Sequence, residues 1–73
     1  MIPGANQTKK AIKSRGAARV YLACDASRDV REAIVALCGE YGVPLDGETY
    51  TLASLGEACG IAVGCAAAYT GRE

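Results

Sequence analysis

The chain has 73 residues, so it forms one domain at most, predicted to span residues 1–73. A domain of this size buries only about 60% of the surface that its unfolded chain exposes. Its apolar residues, many of them alanine, do not favour a roomy catalytic pocket. Eight basic and eight acidic residues give a net charge of zero, which by itself argues against a nucleic-acid partner, because phosphate neutralisation dominates such affinity.

The first predicted element is a helix over residues 5–15, with Asn6 as its N-cap and Gly16 as its stop signal. It lies in the basic part of the chain. Residues 1–19 contain five lysines and arginines and no acid, whereas the remainder contains three arginines and eight acids. A molecule polarised in this way presents one basic face to an anion. The alternative is a solvated basic helix on an ordinary domain.

Residues 19–24 are predicted to form a buried strand, because the segment has a β-branched valine and an aromatic tyrosine near its start and the length of such a strand. Residues 25–27 then form a turn in which Asp25 or Ser27 caps the second helix. Apolar residues at helical spacing predict that helix from Val30 to Tyr41, and Gly42 ends it.

The second half of the chain is predicted to contain two short strands and a third helix. Residues 43–45 form a short strand that Pro44 confines to an edge or a strand start, and residues 46–47 form a turn. Residues 49–50 add a short extended piece, Thr51 caps the third helix, and Gly60 ends it. Residues 65–69 form the last strand, although alanine is a poor strand former. The alternation predicts an α/β protein, a three-layer α/β/α sandwich with a small mixed β-sheet.

The four cysteines are predicted to be buried thiols in the reducing cytoplasm. They are scattered, without a C-x-x-C pair, and the chain has no histidine, so no metal or cofactor is expected; a zinc site and two disulfides are the weaker alternatives. Residues 1–3 are too short for the apolar region of a signal peptide, and no apolar run approaches the roughly 20 residues needed to span a bilayer. No membrane partner is expected.

Catalysis is not predicted. The chain has no histidine, no glycine-rich phosphate loop and no paired-carboxylate motif, so no nucleophile has an evident base.

Four segments resemble a known family. Residues 4–10 (GANQTKK) resemble the signature G-x-N-E-x-x-K, and residues 55–61 (LGEACGI) resemble L-G-x-A-C-G-[IV]. Between them, residues 20–26 (VYLACDA) and 37–44 (LCGEYGVP) resemble a strand that ends I-A-x-D-A and a helix end L-C-E-E-x-x-V-P. In this order the segments resemble the kink-turn-binding ribosomal proteins of the L-seven-Ae/L-thirty-e superfamily, in particular its short bacterial members.

This resemblance implies a protein that binds kink-turn RNA, in which a bulge precedes tandem sheared G·A pairs. It implies that Asn6, Gln7 and Lys10 meet the G·A pairs from the start of the first helix. The loop after the third helix would cover the extruded nucleotide. The implied RNA-binding residues are Gly4, Ala5, Asn6, Gln7, Lys10, Lys13, Gly60, Ile61, Ala62, Val63 and Gly64.

The chemistry of these residues favours the same roles. A helix N-terminus offers unpaired N–H groups and a positive dipole end to a phosphate. Side-chain amides suit exposed base edges, and Lys10 and Lys13 share a helix face. A loop flanked by glycines approaches an unstacked base closely. Taken singly, each feature also has a structural interpretation: Asn6 as a cap, the lysines as a solvated face, Gly60 as a C-cap and Gly64 as a bulge.

The predicted function is therefore that of a non-enzymatic, ribosomal-type RNA-binding protein. It is expected to stabilise kink-turn RNA, in ribosomal RNA or an mRNA leader, as a cytoplasmic monomer. Gln7 stands where the family more often has glutamate, which keeps an acceptor but removes a charge. Glu57 stands where lysine is frequent, and the loss of a phosphate contact there predicts weaker binding. The alternative is a protein–protein adaptor on the same fold, suggested by the acidic remainder of the chain.

Overall fold

A computed structural model describes residues 1–71 of the chain. Its elements are β1 (Ile2–Pro3), α1 (Ala5–Lys13), β2 (Ala17–Leu22), α2 (Arg28–Tyr41), β3 (Leu45–Asp46), α3 (Leu52–Ala58) and β4 (Ala67–Gly71). The strands form one sheet in the order β1-β4-β2-β3. Strand β4 is antiparallel to both β1 and β2, whereas β3 is parallel to β2, so the sheet is mixed as predicted.

The helices cover both faces of this sheet, because neighbouring side chains of β2 point to opposite sides. Val20 and Leu22 are fully buried in one core with side chains of α1 and α2, among them Ile34. Ala23, just after β2, is buried in a second core with Leu55 of α3. The fold is therefore the predicted three-layer α/β/α sandwich.

The alanine-rich strand β4 lies in the middle of the sheet despite its low strand propensity. Ala67 and Ala68 are both fully buried, one in each core. Because their side chains are small, helices on both faces approach the sheet closely. Packing thus overrides propensity here, and the strand begins two residues later than the predicted residues 65–69.

Helix α1 ends before its predicted glycine stop. It stops at Lys13, and Arg15 rather than Gly16 adopts the left-handed conformation, with φ of 61°. The Arg15 N–H donates to the carbonyl of Ile12 at 3.1 Å, and the Gly16 N–H donates to that of Ala11 at 2.8 Å. These two bonds form a Schellman motif, which places the left-handed residue one position before Gly16.

Other boundaries mix agreement and error. Helix α2 ends at a left-handed Gly42. Strand β3 is an outer strand of the sheet as predicted, but it covers Leu45–Asp46 rather than residues 43–45, so Pro44 precedes it. The predicted extended piece at residues 49–50 is wrong: it is not a strand. There the Asp46 carboxylate accepts hydrogen bonds from the Thr49 hydroxyl and from the N–H groups of Glu48 and Thr49, which hold a turn and lower the pKa of Asp46.

No helix within residues 1–71 is long and apolar enough to cross a membrane. The prediction of a single domain over residues 1–73 stays a prediction, and Arg72 and Glu73 lie outside the described residues.

Candidate nucleic-acid interface

The start of α1 is fixed to the sheet by backbone rather than by a capping side chain. Gly4, with φ of 118°, is the N-cap, so the prediction that Asn6 takes this place is wrong. The Gly4 N–H donates to the carbonyl of Ala67 in β4 at 2.9 Å. The Gly4 carbonyl accepts from the N–H of Thr8 at 2.9 Å and from its hydroxyl at 2.7 Å, and Thr8 is fully buried. These bonds set the direction of the first turn.

The first turn of α1 exposes polar groups that the rest of the fold leaves free. Asn6 and Gln7 are exposed, and they are the only residues with side-chain amides in the sequence. The N-cap forms no side-chain hydrogen bond, and the turn contains no acid. Since the first N–H groups of a helix lack partners within it, this end combines backbone donors, side-chain amides and a positive dipole. Such a combination suits an anion with a base edge beside it.

Basic side chains continue from this turn along the exposed face of α1. Asn6, Lys10 and Lys13 follow one another at intervals of four and three, so they form one stripe. Lys10 and Lys13 are exposed, and the one salt bridge among residues 1–71 joins Arg28 to Glu32 on α2. The charges of the stripe are thus available to a partner. Ala5, by contrast, packs against the core, so only its backbone can face a ligand.

The loop of residues 60–64 is held along the flank of α3. Ile61 donates its N–H to the carbonyl of Gly56 at 3.0 Å, and Cys65 donates its N–H to that of Leu52, also at 3.0 Å. Between them the Val63 carbonyl lies so close to Gly56 that any Cβ there would overlap it. The loop backbone is therefore seated on the helix.

The side chains of this loop divide into an inner and an outer set. The side chain of Ile61 packs against the core beneath α3. The part of it that is buried there cannot make the predicted contact with a nucleotide. Ala62 is exposed. Val63 is 70% exposed, the highest exposed fraction among the large apolar residues on the surface of residues 1–71. Gly60, with φ of 75°, and Gly64 flank them, both exposed. Ala62 and Val63 thus form the apolar outer surface of the loop.

The start of α1 and the loop of residues 60–64 lie at the same end of the sheet, where β2 ends and β4 begins. Ala67, the first residue of β4, pairs with Leu22 at the carboxyl end of β2 and accepts the Gly4 N–H. The loop leads into this strand through Cys65 and Ala66, and a stretch of three residues spans at most about 10 Å. The start of α1 and the loop of residues 60–64 therefore flank the start of β4 together.

The turn after β2 is a third segment at this end of the sheet, and its contact with α3 was not predicted from the sequence. Asp25, in the turn after β2, accepts the N–H of Leu52 at 2.7 Å, and the Cys24 N–H donates to the carbonyl of Tyr50 at 2.8 Å. The turn thereby holds the first turn of α3 in place. Aspartate after a strand signalled a cap, but for α2; its partner 27 residues away has no local signal. Ser27 is the N-cap of α2 and forms no side-chain cap bond.

Asp25→Ala is expected to lower the free energy of unfolding by about 1 kcal/mol, because the first N–H of α3 loses its acceptor. Urea denaturation measures the change. Ser27→Ala is the matched control, and it should change stability by less than about 0.5 kcal/mol because no cap bond is removed. A larger loss for Ser27→Ala than for Asp25→Ala would contradict this assignment.

The thiols differ in exposure, so the prediction that all four are buried is wrong in part. Cys38 and Cys65 are buried, Cys59 is half-buried, and Cys24 is exposed. Burial raises the pKa of Cys38. No group of three or more histidine, cysteine or acidic side chains within the described residues is arranged to hold a metal ion.

Sequence comparisons give a family and named relatives. The model of the ribosomal protein L7Ae/L30e/S12e/Gadd45 family matches residues 1–72. An RNA-binding protein of Caldanaerobacter subterraneus is 41% identical over 69 residues, and one of Geobacillus thermodenitrificans is 37% identical over 67. Each alignment covers 92% of this chain and 80% of the relative. The family and the names of these relatives agree with the prediction of a protein that is not an enzyme.

Two solved structures have the same fold. A 15.5 kD RNA-binding protein of Giardia lamblia superimposes with a TM-score of 0.81 at 30% identity over 97% of this chain. A protein of unknown function from Bacillus halodurans gives 0.81 at 24% identity over 90% of this chain, which concerns the fold alone. The chain spans 59% and 65% of the lengths of these two proteins, respectively.

Proposed function

The chain belongs to the ribosomal protein L7Ae/L30e/S12e/Gadd45 family, and we propose that it binds RNA and stabilises the bent, kink-turn conformation. The observation that carries this proposal is the first turn of α1. It has no capping side chain and no acid, and it bears the chain's only side-chain amides beside a lysine stripe. The RNA-binding relatives support an RNA partner.

The first turn of α1, its lysines and the loop of residues 60–64 each have a chemical role in this proposal. The amides of Asn6 and Gln7 donate to and accept from the base edges of sheared G·A pairs. Lys10 and Lys13 neutralise phosphates of the RNA strand that runs along α1. The apolar surface formed by Ala62 and Val63 covers an extruded base. Because these side chains have no polar groups, little free energy is lost in removing water from them.

Binding of this kind needs no catalytic group. RNA that exchanges between extended and kinked forms shifts toward the form that the protein binds better. A preference of about 100-fold for the kinked form corresponds to roughly 2.7 kcal/mol. We expect a monomer acting in the cytoplasm on ribosomal RNA or an mRNA leader.

The direct test is a titration at low salt against two RNAs of equal length. One contains a kink-turn, and in the other Watson–Crick pairs replace the sheared G·A pairs. Tighter binding to the first, by about 100-fold, is the expected result. Equal affinity would contradict kink-turn preference while keeping RNA binding. No binding to either RNA, together with a co-purifying protein partner, would favour the adaptor that the acidic remainder of the chain suggests.

Lys10→Ala is expected to weaken binding to all RNAs and to reduce the slope of log affinity against log salt by about one unit, because one phosphate contact is lost. Arg19→Ala is the charge-matched control. Arg19 is exposed and pairs with Thr70 near the carboxyl end of β4, at the opposite edge of the sheet from Gly4. Titrations at several salt concentrations measure both slopes, and equal changes in the two variants would contradict a contact at Lys10.

A further inference from the structure

Two thiols stand at the two ends of the loop of residues 60–64. Cys59 directly precedes it, and Cys65 directly follows it. Cys65 is only 4% exposed in the core beneath α3, and the half-buried Cys59 packs against the same core. The fold of the loop along α3 thus brings together two cysteines that are separated by five residues in sequence.

The Cys65 thiol connects this pair to the start of α1. Its Sγ donates to the carbonyl oxygen of Ala67 at 3.0 Å, the same oxygen that accepts the Gly4 N–H at 2.9 Å. Cys59 packs against the same core cluster that contains Cys65. Burial, and next the neighbouring Cys65, raise the pKa of Cys59. Because the thiolate is the reactive form, this raised pKa makes Cys59 react slowly with an oxidant.

A bond between the two sulfurs would disturb both RNA-facing segments. A disulfide holds the Cα atoms of its two cysteines about 4.4–6.8 Å apart with a narrow range of torsion angles, so it would constrain both ends of the loop. The Ala67 carbonyl also loses the thiol donor that it shares with Gly4.

We propose that Cys59 and Cys65 form a reversible disulfide, and that its formation lowers the affinity of this edge for RNA. The effect on RNA rests on the function proposed above, whereas formation of the disulfide does not. Oxidation would thereby change RNA binding directly, through the loop of residues 60–64.

Hydrogen peroxide is the two-electron oxidant in this reaction. The Cys59 thiolate attacks one peroxide oxygen, the O–O bond breaks, and the leaving hydroxide takes a proton to become water. Cys59 is then a sulfenic acid. The Cys65 sulfur attacks the Cys59 sulfur, the S–O bond breaks, and the hydroxide leaves as water with the Cys65 proton. The pair loses two electrons and two protons, and one peroxide becomes two waters.

The other two thiols do not compete for this pairing. Cys38 lies in the core between the sheet and helices α1 and α2, on the opposite face. Cys24 is exposed, so it is the thiol with which another molecule would form an intermolecular disulfide. Replacing Cys24 with alanine therefore leaves the proposed pair intact and removes the main side reaction.

The test treats Cys24→Ala protein with hydrogen peroxide at mildly alkaline pH and maps its disulfides by mass spectrometry of proteolytic fragments. We expect a Cys59–Cys65 disulfide, a fall in kink-turn RNA affinity of at least about fivefold, and recovery of both in dithiothreitol. In the matched control, which carries Cys59→Ala in addition, RNA affinity should not respond to peroxide.

Two results would overturn the proposal: a fragment map without the Cys59–Cys65 bond, or a protein with that bond and unchanged RNA affinity. A fall in affinity that persists in the Cys59→Ala control would also overturn it, since another group would then be responsible. If the reduced protein binds no RNA, the proposed function fails and the claimed effect on affinity fails with it. The fragment map still decides separately whether the disulfide forms.

Discussion

Gly56→Ala is expected to destabilise the protein by about 1–3 kcal/mol, although alanine is the better helix former. A Cβ at this position would overlap the carbonyl oxygen of Val63 and lie 3.2 Å from its carbonyl carbon and 3.4 Å from the Cα of Gly64. All three atoms belong to backbone, so no side-chain rotation relieves the overlap. Either α3 or the loop must move.

Gly39→Ala is the matched control for this substitution. Gly39 also lies inside a helix, α2, but nothing is within 4 Å of a Cβ built there. The control should therefore gain about 0.5–1 kcal/mol, because alanine loses less conformational entropy on folding. Urea denaturation of both variants measures the changes. A gain in both would mean that the contact between Gly56 and the loop is absent in solution.

The Gly56→Ala protein should also bind kink-turn RNA more weakly at temperatures where it remains folded. The reason is that its loop no longer sits along α3 and presents Val63 at a different distance from the start of α1. Gly39→Ala should leave the affinity unchanged. If Gly56→Ala loses stability but keeps full affinity, the loop of residues 60–64 has no part in binding.

Some elements of the fold have local signals in the sequence, and others do not. The end of α2 is marked by Gly42, which takes the left-handed conformation that glycine favours. The end of α1 uses the same backbone geometry at Arg15, where no residue type announces it. Strand β1 was not predicted, because two residues are too few for a periodic pattern and its pairing with β4 is long-range.

The candidate interface divides in the same way. Helical spacing alone places Asn6, Lys10 and Lys13 on one face. Helical spacing does not reveal the bond from Gly4 to Ala67, because that contact joins opposite ends of the chain. The inward packing of Ile61 is also hidden, since an apolar loop sequence does not say which residue meets the core. Such facts depend on how the layers pack.

The second large effect is expected at Asn6. Replacement by alanine should lower kink-turn RNA affinity by about 5- to 150-fold, the range for loss of a paired amide contact to a base. Stability should hardly change, because Asn6 is exposed and the cap is formed by Gly4. A structural cap would behave in the opposite manner, with stability lost and affinity affected only through folding.

Asn6→Asp separates the two roles more sharply, because it keeps the shape of the side chain and its oxygen acceptors but removes the amide donors. In the first turn of a helix a carboxylate is favourable, so this variant should be as stable as the parent or more stable by about 0.3–1 kcal/mol. It should nevertheless lose at least as much affinity as Asn6→Ala, since the new charge also repels phosphate. Thermal unfolding and RNA titration of the two variants provide the comparison. Retained affinity in both would mean that RNA binds elsewhere and that the polar first turn of α1 is only a solvated helix end.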